Sequence, residues 1–558
     1  MMAHEMRSNG FCGGISNDSK LLKHYSTDES IFSITPKLIL QPLNQRDIEK
    51  AVKVVSKHTK QFETLALTPR GLGAGQNGGA LSDSIVLDTA VHMNKINNVT
   101  KVTSENYHVT VEPGARCVNL HQKLSSLKIH IPTLPLNHTT ATIGGAVAEN
   151  RGAGQINKYG TLADWVVSIE VTLSDGNTYN ISPLTYKQLN SLIKKDNAYS
   201  RIVKSVFKLI EKNESTIKKN RPKHPTCRAG YALWNILDVS VSEFKKGKGS
   251  FDLTKIMCGS QGTIGIINSI TLKATPVKKL EKTIIVHVSS LTEIPRVVNE
   301  SITQEVNHIE MFDEKTLRSA LASPQIFGQK MQGARYFNTI LKLYTFFHVR
   351  WKGEPPPYFL LITLDTDKVT GLQDKLLKLF TNKNLTHKPR LLSEPTEVTL
   401  FTTLARNWYR LARQSGNKQM PVSILDSLDV PLTKLDSFFT DLENLSKKLK
   451  TSFVANLNVN GSALIFYPLL DMTDSKIDKK ITITNQEFYK VANKNGAKFT
   501  GEMIDGLIHT PDLSKIFSKT FLNLCAKLES TFDPDDIFNP GKKIKPIPTI
   551  VNILRTHN

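Results

Sequence analysis

Residues 68–80 read TPRGLGAGQNGGA, and an apolar run, SIVLD, ends close behind at Asp88. Gly71, Gly73, Gly75, Gly78 and Gly79 with one arginine make a backbone that can fold tightly and present bare N–H groups, as an anionic phosphate requires. The spacing is not the Rossmann fingerprint, and no GK[ST] follows, so this is not a Walker A loop. Taken alone, the loop supports an anion-binding turn, and a glycine-rich surface loop would explain it as well.

At 558 residues the chain exceeds what one hydrophobic core usually supports, so two or more compact units are expected. Hydrophobic content of 39% with 22% charged residues is ordinary for a folded protein. The formal charge of +22 could point to nucleic acid or a membrane surface. Lysines are spread along the chain without a long basic block, and no nucleic-acid motif accompanies them, so a solvated Lys-rich surface is the preferred reading and nucleic acid is not an expected partner. Five scattered cysteines without a CxxC pair argue against a disulfide scaffold or a cysteine-held cluster. The N-terminus lacks the apolar core of a secretory signal, and no run reaches the roughly 18 apolar residues of a span. A cytoplasmic protein is expected, at most peripheral to the inner membrane.

Residues 1–30 read as a flexible, polar lead-in. From Lys37 a short strand, a helix capped by Asn44 or Asp47 with Ile48, Val52 and Val55 at helical spacing, and a second strand lead into the glycine loop. β-rich segments follow, including an Asp175-Gly176 hairpin signal between apolar alternations. Two Gly-rich loops are thus expected to flank one mixed sheet. Residues 185–245 look helical, and Pro276 marks a change into a new alternation of strands and helices. The expected division is 31–277 as a first domain, 278–495 as a second α+β domain and 496–558 as a C-terminal segment.

Further glycine-rich stretches stand at Thr142–Ala146 with 152–154 and at Gly259–Gly265. In order, TPRGLGAGQNGGAL, VTVEPGA, PTLPLNHTTATIGGAVAENRGAGQINKYG, GSQGTIGIINSITLK and FDPDDIFNPGKK resemble the FAD-linked oxidases with a vanillyl-alcohol-oxidase (PCMH) type flavin domain. The likeness covers about residues 25 to 546 and is nearest to the D-2-hydroxyacid dehydrogenase branch, which includes glycolate, D-lactate and D-2-hydroxyglutarate dehydrogenases. It implies an α+β fold: a two-subdomain FAD-binding domain, a cap domain on an antiparallel sheet, and a C-terminal segment returning to the flavin domain. It also implies that Pro69, Arg70, Gly71, Leu72, Gly73, Ala74, Gly75, Gln76 and Asn77 line the pyrophosphate, joined by Pro135, Thr142, Gly144, Gly145, Gly152 and Tyr159. Gly262, Ile264 and Gly265 would complete the pocket, and Asn539 would close on it. Some relatives attach the flavin through a histidine where this chain has Ala74, so non-covalent FAD is expected. Cys117 reads as a buried structural thiol.

The cap departs from the family pattern. Many members carry histidines in a Gly-rich hairpin and in G-E-H-G that resemble ligands for a divalent metal; here Asn458 and Ile465 stand in the hairpin, and Met503 follows Glu502. Isoleucine and methionine cannot supply such a ligand set, so no metal is expected. His509 reads as a surface histidine. Arg406, with Arg410 as substitute, matches an arginine that could hold a substrate carboxylate by two parallel hydrogen bonds, and a solvated helix face is the alternative. Glu502, Tyr467 and Asn458 complete the candidate catalytic set.

The implied function is FAD-dependent oxidation of an organic acid, with hydride passing to the flavin. The alternative is a flavin-binding subunit without the family's metal and base histidines. Large relatives carry a cysteine-rich electron-transfer module, and this chain ends at Asn558, so a separate iron–sulfur partner, a quinone or a diffusible acceptor is expected.

Overall fold

The computed structural model describes residues 1–61, 64–135, 141–150, 156–224, 227–277, 281–302, 306–314, 357–366, 369–382, 389–394, 397–398, 400–402, 404–405, 409, 413, 418–458, 463–503, 505–546 and 554. The chain divides into two compact units, one of Met1–Val277 with Gly501–Arg555, the other of Lys278–Thr500 with Thr556–Asn558.

The first unit opens with α1 (Met2–Ser8), β1 (Gly14–Ser16) and α2 (Ser19–Tyr25). Met6, Phe11 and Tyr25 are buried, so the expected flexible lead-in is corrected to a packed element. Its apolar residues are few and widely spaced, which hides them from a composition reading; each finds cover only after folding. β2 (Leu38–Gln41), β3 (Leu67–Arg70) and β4 (Ile85–Asp88) are parallel in the order β2-β4-β3, with β1 antiparallel on the edge. Parallel strands require a crossover, supplied between β2 and β3 by α3 (Gln45–His58). Asn44 caps that helix by accepting from the Arg46 N–H at 2.9 Å, and Ile48, Ala51, Val52 and Val55 bury the face toward the sheet.

A second sheet holds β5 (Ile96–Lys101), β6 (Tyr107–Val111), β8 (Val166–Thr172), β9 (Thr178–Ile181) and the eleven-residue β10 (Ile266–Pro276), with β7 (Ile129–His130) pairing the end of β10. Every pair in it is antiparallel. The expected single mixed sheet is therefore two sheets, because strand spacing in sequence does not say which strands pair. The Asp175-Gly176 turn joins β8 to β9, with Gly176 at φ +69°, where a side chain would be strained. Around this sheet lie α4 (Cys117–Ser126), α5 (Ile143–Glu149), α6 (Ile156–Tyr159), α7 (Tyr186–Leu192), α8 (Ala198–Lys219) and α9 (Val241–Lys245). Leu524, Leu528 and Phe532 of the helix Lys519–Phe532 pack into the same core. Burial of such side chains stabilises by about 1.5–3 kcal/mol each, which fastens the C-terminal segment to this unit.

The second unit is α+β. β11 (Glu281–Val288), β12 (His308–Asp313), β13 (Tyr358–Asp365) and β14 (Arg390–Leu392) form an antiparallel sheet in the order β12-β13-β11-β14. A further antiparallel sheet contains β15 (Gln419–Pro421), β16 (Leu428–Asp429), β17 (Phe453–Asn458), β18 (Ala463–Asp471) and β19 (Lys498–Phe499). Helices Leu435–Leu449 and Ile477–Lys494 contribute Phe438, Phe439 and Phe488, whose rings meet that of Phe466 on β18.

Candidate functional site

β3 ends at Arg70, and the glycine loop begins at once. It forms one wall of a cleft of about 980 Å³ lined by Pro69–Gly75, Gly79 and Ala80. Pro113, Pro135, Ala141, Thr142, Gly144, Gly145, Ala146, Ala148 and Glu149 line it too, with Gln261, Gly262, Gly265 and Ile267 from the third glycine segment and Thr89.

The glycines are set by close approach. A Cβ on Gly71 would stand 2.3 Å from Thr142 Oγ1, one on Gly144 2.6 Å from Pro113 Cβ, and one on Gly262 2.4 Å from Pro69 Cγ. The three segments thus meet backbone to side chain with no methyl group between them. Thr142 caps α5 by accepting from the Gly145 N–H at 3.3 Å. Gln261 is held at φ +54°, with its N–H donating to Ala148 O at 2.9 Å. Both ends of its side-chain amide are buried with no partner in the protein, as is Asn77 Nδ2. Each such orphan costs about 1–3 kcal/mol unless something bonds it. A bound molecule with carbonyl and N–H groups on one edge would satisfy the Gln261 amide. The glycine cradle and the orphaned amide suit a large polar cofactor such as FAD.

Arg70 borders the cleft, but its guanidinium donates to Tyr25 O at 3.1 Å and Thr27 O at 2.7 Å and lies over the Tyr25 ring. Burial lowers its pKa, opposed by Asp28 and Asp88. Its head group therefore fastens the N-terminal segment, a contact that no local pattern announces. Asp88 also accepts from the Tyr25 hydroxyl, and burial followed by that carboxylate drives the phenol far above its usual range.

Several expected residues do not line the cleft. Ile264 is fully buried in the apolar core. Gln76 and Asn77 are buried behind the loop. Tyr159 packs its ring against those of His130 and Trp165. Asn539 is wholly buried and staples the wall from behind: its Oδ1 accepts from Thr68 Oγ1 at 3.0 Å, and its Nδ2 donates to Gly79 O at 2.9 Å and Gln261 O at 2.7 Å. Gly152 lies outside the described residues. Sequence reasoning passed over Gln261, Pro113, Glu149 and Ile267 although each stands inside a quoted stretch; Thr89 carried no signal.

Of the proposed catalytic set, Arg406 and its substitute Arg410 lie outside the described residues, as does the side chain of Asn458 on β17. Tyr467 on β18 is buried with its ring 5.1 Å from that of Tyr409. Glu502, in the other unit, is buried with its carboxylate 3.7 Å from Arg228 Nη2. Ile465 and Met503 are buried apolar side chains. His509 was expected on the surface and is instead 6% exposed, with neither ring nitrogen bonded. Burial lowers its pKa to about 4, against the pull of Asp512. Cys117 is buried, and burial raises its thiol to about 12, which leaves it unreactive.

Residues 36–182 match the FAD binding domain family, and residues 277–543 match the C-terminal domain of FAD linked oxidases. D-2-hydroxyglutarate dehydrogenase of Pseudomonas putida is 24% identical over 545 residues, covering 97% of this chain and 51% of that protein. The enzyme of the same name from Escherichia coli is 23% identical over 548 residues with the same coverage. The chain thus spans about half the length of these relatives. Glycolate oxidase subunit GlcD of Bacillus subtilis is 21% identical over 530 residues, covering 94% of this chain and 93% of the relative. Among solved structures, p-cresol methylhydroxylase with substrate bound superposes with a TM-score of 0.62 at 13% identity, covering 97% of this chain and 96% of the other. The 4-ethylphenol oxidase of Gulosibacter chungangensis does so with a TM-score of 0.63 at 12% identity, covering 98% and 97%. These likenesses show the fold, an α+β architecture of the PCMH type. With its flavin-domain match, its oxidase-domain match and a cleft walled by three glycine segments, the chain belongs to the FAD-linked oxidases, and its cofactor is FAD.

Proposed function

We propose that this chain is an FAD-dependent dehydrogenase that oxidises an organic acid of the D-2-hydroxy type to the corresponding 2-oxo acid. The observation that carries the reading is the glycine-walled cleft with the orphaned Gln261 amide inside it. FAD, when bound, supplies the hydride acceptor. The glycine segments would hold its pyrophosphate by backbone N–H groups, and Gln261 would bond a polar edge of the cofactor. Among the described residues the cleft lining holds neither histidine nor cysteine, and Ala74 stands on the first loop, which supports non-covalent FAD. Arg406 is assigned the substrate carboxylate. Asn458, Tyr467 and Glu502 are assigned hydrogen bonds to substrate and acceptance of its hydroxyl proton. A separate acceptor, an iron–sulfur protein or a quinone, would take up the electrons, and the chain works in the cytoplasm, at most peripheral to the inner membrane; among the described residues no helix is long and apolar enough to cross a membrane.

A flavin-binding subunit without catalysis is the second reading, favoured by the buried Ile465 and Met503 where relatives carry imidazoles. The test is anaerobic mixing of the FAD-loaded chain with a panel of D-2-hydroxy acids that includes D-2-hydroxyglutarate, D-lactate and glycolate. Bleaching of the flavin band supports the enzyme. A yellow protein that no member of the panel reduces favours the binding subunit, and a chain that cannot be loaded with FAD overturns both.

A further inference from the structure

A Lys-rich face on the first unit lies outside the cleft and is used by nothing described above. Residues 186–248 carry fifteen lysines and arginines against five acidic residues, so this stretch of 63 residues holds nearly half of the chain's +22 excess. In sequence those charges look dispersed. The fold gathers them, because Tyr186 of α7, Phe207 of α8 and Phe244 of α9 pack ring to ring at 5.5–6.4 Å. That aromatic contact brings the polar edges of α7 and α9 together, and Lys187, Lys194, Lys245 and Lys246 surround a shallow surface groove.

The acids of the stretch do not neutralise the groove. Glu243 caps α9 through Ser240, Asp238 accepts from the Ser250 N–H at 2.7 Å, Glu214 pairs with Lys218 at 2.6 Å, and Asp196 pairs with Arg201 at 2.9 Å. Only Glu211 reaches a groove lysine, Lys245. Lys187, Lys194 and Lys246 have no acidic partner among the described residues. Like charges converging on a concavity repel one another and focus a positive potential there, which a ligand of opposite charge relieves.

We propose that this groove is a docking site for an acidic polypeptide segment of a partner protein. Among the described residues between 186 and 248 no large apolar side chain is exposed, which disfavours insertion into a bilayer. Its cations are all lysines, point charges suited to flexible carboxylates, without arginine forks, and its one lining aromatic, Tyr186, is half-buried against Phe207 and Phe244. The contact is of the transient, electrostatically steered kind, fast to form and weakened by salt. It is independent of the flavin reading, since no groove residue borders the cleft.

The test uses the full FAD-loaded chain with fluorescent poly-L-glutamate as probe, at 50 and 300 mM salt. The variant Lys187→Glu/Lys194→Glu/Lys245→Glu/Lys246→Glu is expected to bind at least tenfold more weakly, with the difference shrinking at high salt. The control Lys20→Glu/Lys57→Glu/Lys95→Glu/Lys101→Glu makes the same change of net charge at exposed sites elsewhere in the unit and is expected to lose less than threefold. Equal losses in both variants would mean bulk charge and overturn the proposal. Groove-dependent binding that is tighter to a single-stranded RNA 20-mer or to phosphatidylserine vesicles than to the peptide would overturn it in favour of those surfaces. Retained flavin absorbance and an unchanged melting temperature show that each variant is folded; should the reversed variant fail this check, the four-alanine variant at the same positions takes its place, with at least fivefold weaker binding expected.

Discussion

A methyl group added at Gly71 would displace the Thr142 hydroxyl, which stands 2.3 Å from where the Cβ would sit and caps Gly145. Gly71→Ala is therefore expected to weaken FAD binding about tenfold, equivalent to about 1.4 kcal/mol, read as the flavin lost on dilution and gel filtration. Retention equal to the parent chain would show that the cap and the wall are not coupled. His509 carries a pH prediction. Its folded pKa is about 4, below the ordinary 6.5, so the unfolded chain binds the proton more readily. The buried neutral ring costs nothing extra above pH 6.5, and stability falls as pH drops from 6.5 towards 4, by up to about 3 kcal/mol. Urea midpoints measured across that range should show the loss, and His509→Leu should flatten it. At this scale a glycine is legible in sequence, because its need for close approach or positive φ is local. The burial of His509 and the direction of Arg70 are not, because both depend on segments far away in the chain.

The segment FDPDDIFNPGKK is an element whose role depends on what it touches. Asp533 accepts from the backbone N–H groups of Ile537 and Phe538 at 3.1 and 2.7 Å, a turn that its own residues build. The turn delivers Asn539 to the back of the cleft wall, where it bonds β3, the first glycine loop and the third. Asn539→Ala leaves two buried carbonyls and one hydroxyl without their partner and should cost about 2–4 kcal/mol by urea denaturation. Four residues on, Lys543 pairs with Asp505 at 2.6 Å, both fully buried, and also donates to Arg228 O at 3.0 Å. Removing one charge strands the other, so Lys543→Met is expected to lose about 3–5 kcal/mol. The double variant Lys543→Met/Asp505→Leu should recover part of that loss; a double variant whose losses simply add would show the pair to be uncoupled. The motif marked this segment as important. Its partners could not be read, since Arg228 lies more than three hundred residues away.

In the whole molecule the cleft belongs to the unit that contains both chain ends of the flavin-domain match and the C-terminal segment. FAD at a hundredfold excess over its Kd should stabilise that unit by about 2.7 kcal/mol, seen in calorimetry as a transition that rises with FAD concentration. A thermogram insensitive to FAD would overturn the cofactor site. The sequence by itself determined the cofactor class, most strands and helices of the first unit and the hairpin at Asp175-Gly176, because turns, caps and periodicity are set by neighbours within a few residues. Strand order, the two-sheet division, the packed N-terminus, the orphaned Gln261 amide and the lysine groove were decided only by the tertiary structure. Each of these rests on which distant surfaces meet and which polar groups are thereby cut off from water, and a linear pattern carries no record of either.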